Sequence, residues 1–111
     1  MIRLKLAEWI VGLEAEPVAL SAMVAERYAA FAVAAGEPDL GVRITWEPGN
    51  ATGASILTTA VRKKGEDYLL DAPEFYGMIA PSRGQAELRM RSDNPTREVE
   101  YFLRVALALF A

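Results

Sequence analysis

The fold is decided by the stretch FYGMIAPSRGQAELRM at residues 75–90 and the run RSDNPTREVEYFLRVALALF that follows at 91–110. In Glu74 to Ala80, Phe75, Gly77 and Ile79 alternate with Tyr76, Met78 and Ala80. Pro81-Ser82-Arg83-Gly84 supplies turn residues, and Ala86, Leu88 and Met90 then alternate with Glu87, Arg89 and Arg91. Alternation of this kind marks half-buried strands, and the short link makes them antiparallel neighbours. After Met90 the period changes. Asn94-Pro95 reads as an N-cap followed by proline in the first helical turn. Val99, Phe102, Leu103, Ala106, Leu107 and Phe110 form one helical stripe, and Tyr101, Val105, Ala108 and Leu109 form a second. The polar face, Arg97, Glu100 and Arg104, has no member beyond Arg104. A helix apolar on several sides is normally buried on several sides.

Upstream, Ile2, Leu4 and Leu6 alternate with Arg3 and Lys5, and Trp9, Val11 and Leu13 alternate with Ile10, Gly12 and Glu14. These predict an opening strand or strand pair. Pro17 opens a stretch from Val18 to Ala35 without glycine or proline, in which Leu20, Val24, Tyr28 and Phe31 share one face. That predicts a helix closed by Gly36 and Pro38, with Pro17 at its first position. Val42, Ile44 and Trp46 then face one way and Arg43, Thr45 and Glu47 the other; Pro48-Gly49-Asn50 reads as a turn. Ile56 to Lys63 is rich in β-branched residues, and Lys64-Gly65-Glu66 turns the chain into Tyr68-Leu69-Leu70. The expected architecture is α+β: one domain over residues 1–111, in the order β-α-β(4-5)-α. An antiparallel sheet of about five or six strands carries two helices on one face.

Composition limits the chemistry. The 111 residues are 52% hydrophobic and 24% charged, a globular composition long enough for one core. Histidine and cysteine are both absent. Nucleophile systems built on either, and zinc sites made from them, are thereby excluded. A net charge of −3 suits solubility and gathers polyphosphate poorly, so no nucleic-acid partner is expected. The longest apolar run, Val105 to Ala111, falls far short of the roughly 20 residues of a membrane span. Charges interrupt the apolar start of the chain, unlike a signal peptide, so the expected setting is cytoplasmic, away from membranes.

Each cluster that carries chemistry has a plain alternative. Glu14 and Glu16, and Glu66, Asp67 and Asp71, are the carboxylate groups, but they sit beside turns, where solvated acids are usual. Arg62-Lys63-Lys64 falls at a hairpin tip next to Glu66 and Asp67 and reads as a solvated turn. Arg43, Arg89 and Arg91 lie opposite the apolar rows and form a candidate anion patch, with Glu47 and Glu87 on the same faces to neutralise it. Trp9, Trp46, Tyr76 and Met78 read as core or as the lining of a pocket between sheet and helix. No spacing points to catalysis, and no cofactor or metal is expected.

Several pieces of the chain share a resemblance. Glu100-Tyr101-Phe102-Leu103-Arg104-Val105-Ala106-Leu107-Ala108-Leu109 resembles a segment of proteins related to HPr kinase/phosphorylase, just ahead of their P-loop domain. Ala25 to Phe31, Phe75-Tyr76-Gly77 and Arg83 to Leu88 are similar, in order, to the same N-terminal region. The phosphate-binding loop G-x-x-x-x-G-K-[ST] is absent from this chain. The resemblance therefore implies a non-catalytic accessory domain that acts by contact with a protein partner or a second copy. Its expected surface is the second stripe of the last helix: Tyr101, Val105, Ala108 and Leu109. The alternative is a small-molecule-binding domain of helix-grip type, its pocket lying between the sheet and the C-terminal helix.

Overall fold

A computed structural model describes residues 1–47, 60–72, 75–91 and 94–110. The elements are β1 (Ile2–Leu6), β2 (Trp9–Glu16), α1 (Val18–Arg27), β3 (Leu40–Trp46), β4 (Ala60–Lys64), β5 (Asp67–Ala72), β6 (Phe75–Ala80), β7 (Gln85–Met90) and α2 (Pro95–Phe110). Short 3₁₀ turns occupy Ala29–Phe31 and Pro81–Arg83. The seven strands form one sheet in the order β1-β2-β3-β7-β6-β5-β4. Four neighbouring pairs are antiparallel, as short links demand. The other two, β2 with β3 and β3 with β7, are parallel. The α+β class and the mainly antiparallel sheet flanked by two helices are as the sequence predicts. The strand count is higher, and the sheet is mixed, because β3 lies between strands that precede and follow it in the chain.

Register explains the layers. Leu4 faces Val11, Val11 faces Leu40, Val42 faces Ala86, and Ala86 faces Ile79, so apolar residues line up across the strands. That row is buried, with Leu4, Val11, Leu40 and Ile79 wholly inaccessible. Leu20 and Val24 of α1 and Val99, Phe102, Leu103 and Ala106 of α2 complete the same core. Gly77 of β6 lies directly under a side chain of α2. A Cβ there would lie 2.5 Å from Cε1 of Phe102, so the absent side chain makes room for the ring.

Helix α2 begins as its sequence predicts: the Asn94 side chain accepts the Arg97 N–H at 3.4 Å, and Pro95 is its first residue. Glu98 in its first turn is fully buried. Its Oε1 accepts a bond from Arg97 at 2.8 Å, and its position at the helix N-terminus suits a negative charge.

Helix α1 departs from expectation. It ends at Arg27, not Ala35, and Pro17 precedes its first residue instead of being it. Beyond the 3₁₀ turn, Ala32 bridges to Leu4, and the Val33 N–H donates to the Arg3 carbonyl at 3.0 Å. Pairing with the free edge of β1 overrides the helix propensity of the alanines. Gly36 is no helix cap. It lies against Ile10, whose Cδ1 would be 2.6 Å from an added Cβ. The strand expected over 56–63 is described as Ala60–Lys64; its first part, and the turn at 48–50, lie outside the described residues.

Candidate functional site

Tyr101, Val105 and Leu109, three members of the expected interaction stripe, are partly covered by the chain itself. All three are half-buried against the core, and only Ala108 of that set is exposed. The cause is aromatic packing at both ends of α2. The Tyr101 ring meets Phe75 edge-on at 6.1 Å, and Phe110 meets Trp9 in the same way at 5.1 Å. The helix lies across the sheet and is clasped on two sides.

The three arginines of the expected anion patch share the face opposite the helices but not one site. Arg43 reaches Glu14 at 3.8 Å across β2 and β3. Arg89 is paired at 3.0 Å with Glu87, two residues away on its own strand. Arg89 and Arg91 border a polar cavity of about 350 Å³ with Thr45, Glu47 and Tyr76, while Arg43 borders another of about 330 Å³. The carboxylates do not converge either. Glu14 on β2 and Asp71 on β5 are four strand steps apart, roughly 19 Å at the usual strand spacing. Asp67 pairs with Arg83 at 3.3 Å and Asp71 with Arg62 at 3.8 Å. Among the described residues, no group of three acids is placed to hold a metal ion. The basic run at the β4 tip is split between faces: Arg62 pairs with Asp71, while the Lys63 ammonium lies 5.8 Å from the centre of the Tyr68 ring. Trp9, Trp46, Tyr76 and Met78 line no common pocket. The tryptophans sit on the helix side of the sheet, and Tyr76 and Met78 on the other.

The helix side carries a groove that sequence reading did not assemble. It has a volume of about 350 Å³ and lies between the end of β1, the end of α1 with its 3₁₀ turn, and the second half of α2. Leu6, Tyr28, Phe31, Leu103 and Leu107 give it apolar walls. Phe31 is 48% exposed, a large apolar surface left at the lip. It gets there because α1 stops early: the 3₁₀ turn takes Phe31 off the stripe it shares with Leu20 and Val24 and sets it beside Tyr28, with ring centres 6.4 Å apart.

The opposite lip is charged. Glu100 of α2 accepts from Arg27 of α1 at 2.9 Å and from Arg104, one turn further along α2, at 2.6 Å. These bonds hold the Glu100 carboxyl below its ordinary 4.5, the Arg27 hydrogen bond being the largest cause. Tyr28 is displaced the other way. Burial, and then the nearby charge of Glu100, raise its phenol above 10.0. The groove thus joins an apolar floor to a compact charged rim that ties the two helices together. Glu100 and Arg104 are readable as a helical i, i+4 pair. Arg27 is 73 positions away, and no local signal connects it to them.

No helix among the described residues is long and apolar enough to cross a membrane. The chain matches no family model, no curated protein and no solved structure.

Proposed function

We propose that this chain is a non-catalytic interaction domain that docks a partner protein in the groove between α1 and α2. The observation that carries this reading is the groove itself: five apolar residues from three elements, with a half-exposed phenylalanine at the lip and an ion-paired rim opposite. A large apolar side chain left at the edge of a concavity is the usual anchor point of a protein contact. The dispersal of the carboxylates and their pairing with arginines favour binding over catalysis. The resemblance to the N-terminal region of HPr-kinase-related proteins supports the same reading, that of an accessory domain acting by contact in cis or in trans.

Photocrosslinking tests it. A benzophenone amino acid replacing Phe31 is expected to give an adduct of defined mass in the native cells; the same probe replacing Arg43, on the far face of the sheet, is not. Equal adducts from both positions, or none from position 31, would overturn the proposal. A second reading is supported by the same cavity, since about 350 Å³ lies inside the range of small-molecule sites. On that reading the groove holds a small apolar ligand, and position 31 yields no protein adduct.

A further inference from the structure

The rim and size of the groove specify its occupant more narrowly, on the reading that the groove is a docking site. Two guanidiniums, Arg27 and Arg104, share one carboxylate, Glu100, which leaves the rim with one positive charge in excess. The chain as a whole carries −3, and on the opposite sheet face Arg43, Arg62 and Arg89 each have an acid of their own. The rim is therefore a local positive site on an acidic protein, built directly against an apolar floor. The Arg27 and Arg104 side chains are 57% and 77% exposed, so donors not used on Glu100 are open to solvent.

An apolar group bearing a cation would meet repulsion here, and a neutral one would leave the excess charge unanswered. An apolar group with a carboxylate beside it satisfies floor and rim together, and guanidinium forks match carboxylates in shape. Size limits the choice further. The apolar lining amounts to five side chains, a patch that one large apolar side chain can cover. In a polypeptide the two lie closest together at the C-terminus, where the carboxylate and the side chain sit on one Cα.

We infer that the groove captures the C-terminal residue of a partner polypeptide that ends in a large apolar side chain. The side chain lies against Leu6, Phe31, Leu103 and Leu107, and the terminal carboxylate meets Arg27 and Arg104. Terminal carboxylates are a recognised handle for peptide capture.

The test is an NMR titration of the full chain with acetylated Ala-Ala-Ala-Leu, as the free acid and as the C-terminal amide. The free acid is expected to shift the methyl groups of Leu6, Leu103 and Leu107, and the amide to bind about fivefold more weakly, the effect of one exposed ion pair. Arg104→Gln is expected to erase the difference between acid and amide while the amide affinity stays unchanged. Equal affinity of acid and amide for the unaltered chain overturns the inference, and if position 31 still crosslinks a protein, docking stands without it. Octanoate binding as tightly as the acid peptide also overturns it, because the occupant is then a free fatty carboxylate. Absence of shifts with every probe, together with no crosslink at position 31, removes both readings.

Discussion

Replacing Gly77 with alanine sets a methyl group 2.5 Å from Cε1 and 3.1 Å from Cδ1 of Phe102, with Leu70 Cβ at 3.5 Å. Ordinary contact begins at 3.4 Å, so the ring must retreat by about 1 Å, while Leu70 is already at contact distance of the methyl. Phe102 and Val99 are fully buried on α2, and Leu103 is nearly so. A retreat of that size either forces the ring off its rotamer or lifts the helix from β6 and β7. A gap of about 1 Å forfeits up to half of the attraction in each contact it opens. Overpacking of this kind costs about 2 kcal/mol, a large share of a small domain's stability. Urea denaturation followed by tryptophan fluorescence measures it, since Trp9 reports directly on the seat of α2 through Phe110. Phe102→Leu removes the ring atoms at fault and costs about 1–2 kcal/mol alone through the cavity it leaves. In the double variant the two costs should fall short of their sum by at least about 1 kcal/mol. A Gly77→Ala protein within about 0.5 kcal/mol of the parent, or strictly additive costs, would refute the close approach of α2 at this point.

Three further expectations rest on other features. Ala7 is the first central residue of the two-residue turn between β1 and β2, with φ +55°, a conformation that costs alanine about 1 kcal/mol; Ala7→Gly should raise the unfolding midpoint accordingly. Gly84 and Gly65 have similar backbone angles, φ +61° and +63°, but different surroundings: a Cβ on Gly84 meets the Asp39 carbonyl at 2.7 Å, and one on Gly65 meets nothing within 4 Å. Gly84→Ala should therefore cost roughly 3 kcal/mol and Gly65→Ala about 1 kcal/mol in the same assay. The rim should titrate at both ends of the pH scale. The stabilising contribution of ionised Glu100 is present above 4.5 and lost as pH falls through its lowered folded value; that of neutral Tyr28 is present below 10.0 and lost as pH rises through its raised one. Denaturation midpoints across pH should show the difference from Glu100→Gln vanishing in acid and a stability loss above pH 10 that Tyr28→Phe does not share.

Much of the sheet was legible because its residues alternate. Val42 with Ile44, Ala86 with Leu88 and Met90, and Phe75 with Ile79 are buried where alternation puts them. The placement of β3 was not legible. Its residues suit any central strand, and pairing with β2 and β7 depends on contacts far away in sequence. The early end of α1 was hidden for a related reason. Its alanines and the Leu20–Phe31 stripe are helical locally, and the competing partner is the edge of β1, some thirty positions earlier. The groove inherits both difficulties. Leu6, Phe31 and Leu107 belong to separate periodic patterns, and only the bend after Arg27 turns them toward one another. The partial cover of the second stripe of α2 was not legible, because amphipathicity counts apolar faces and not the aromatic neighbours, Trp9 and Phe75, that pack against Phe110 and Tyr101.

The position of β3 has a consequence for how the molecule assembles and opens. The β1–β2 hairpin joins residues three positions apart at its turn, as does β4–β5, and β6–β7 joins residues five apart. By contrast, β3 reaches back 29 positions to β2 and forward 44 to β7. Because β5–β6 also joins residues three apart, two locally closed units, β1–β2 and β4 to β7, form at little loop-closure cost, and β3 fuses them at the largest entropy loss in the sheet. Paired on both sides, its central amides have no local route to solvent. Hydrogen exchange at Val42 and Ile44 then measures the opening of the entire domain, while exchange at the outer hairpins measures only fraying.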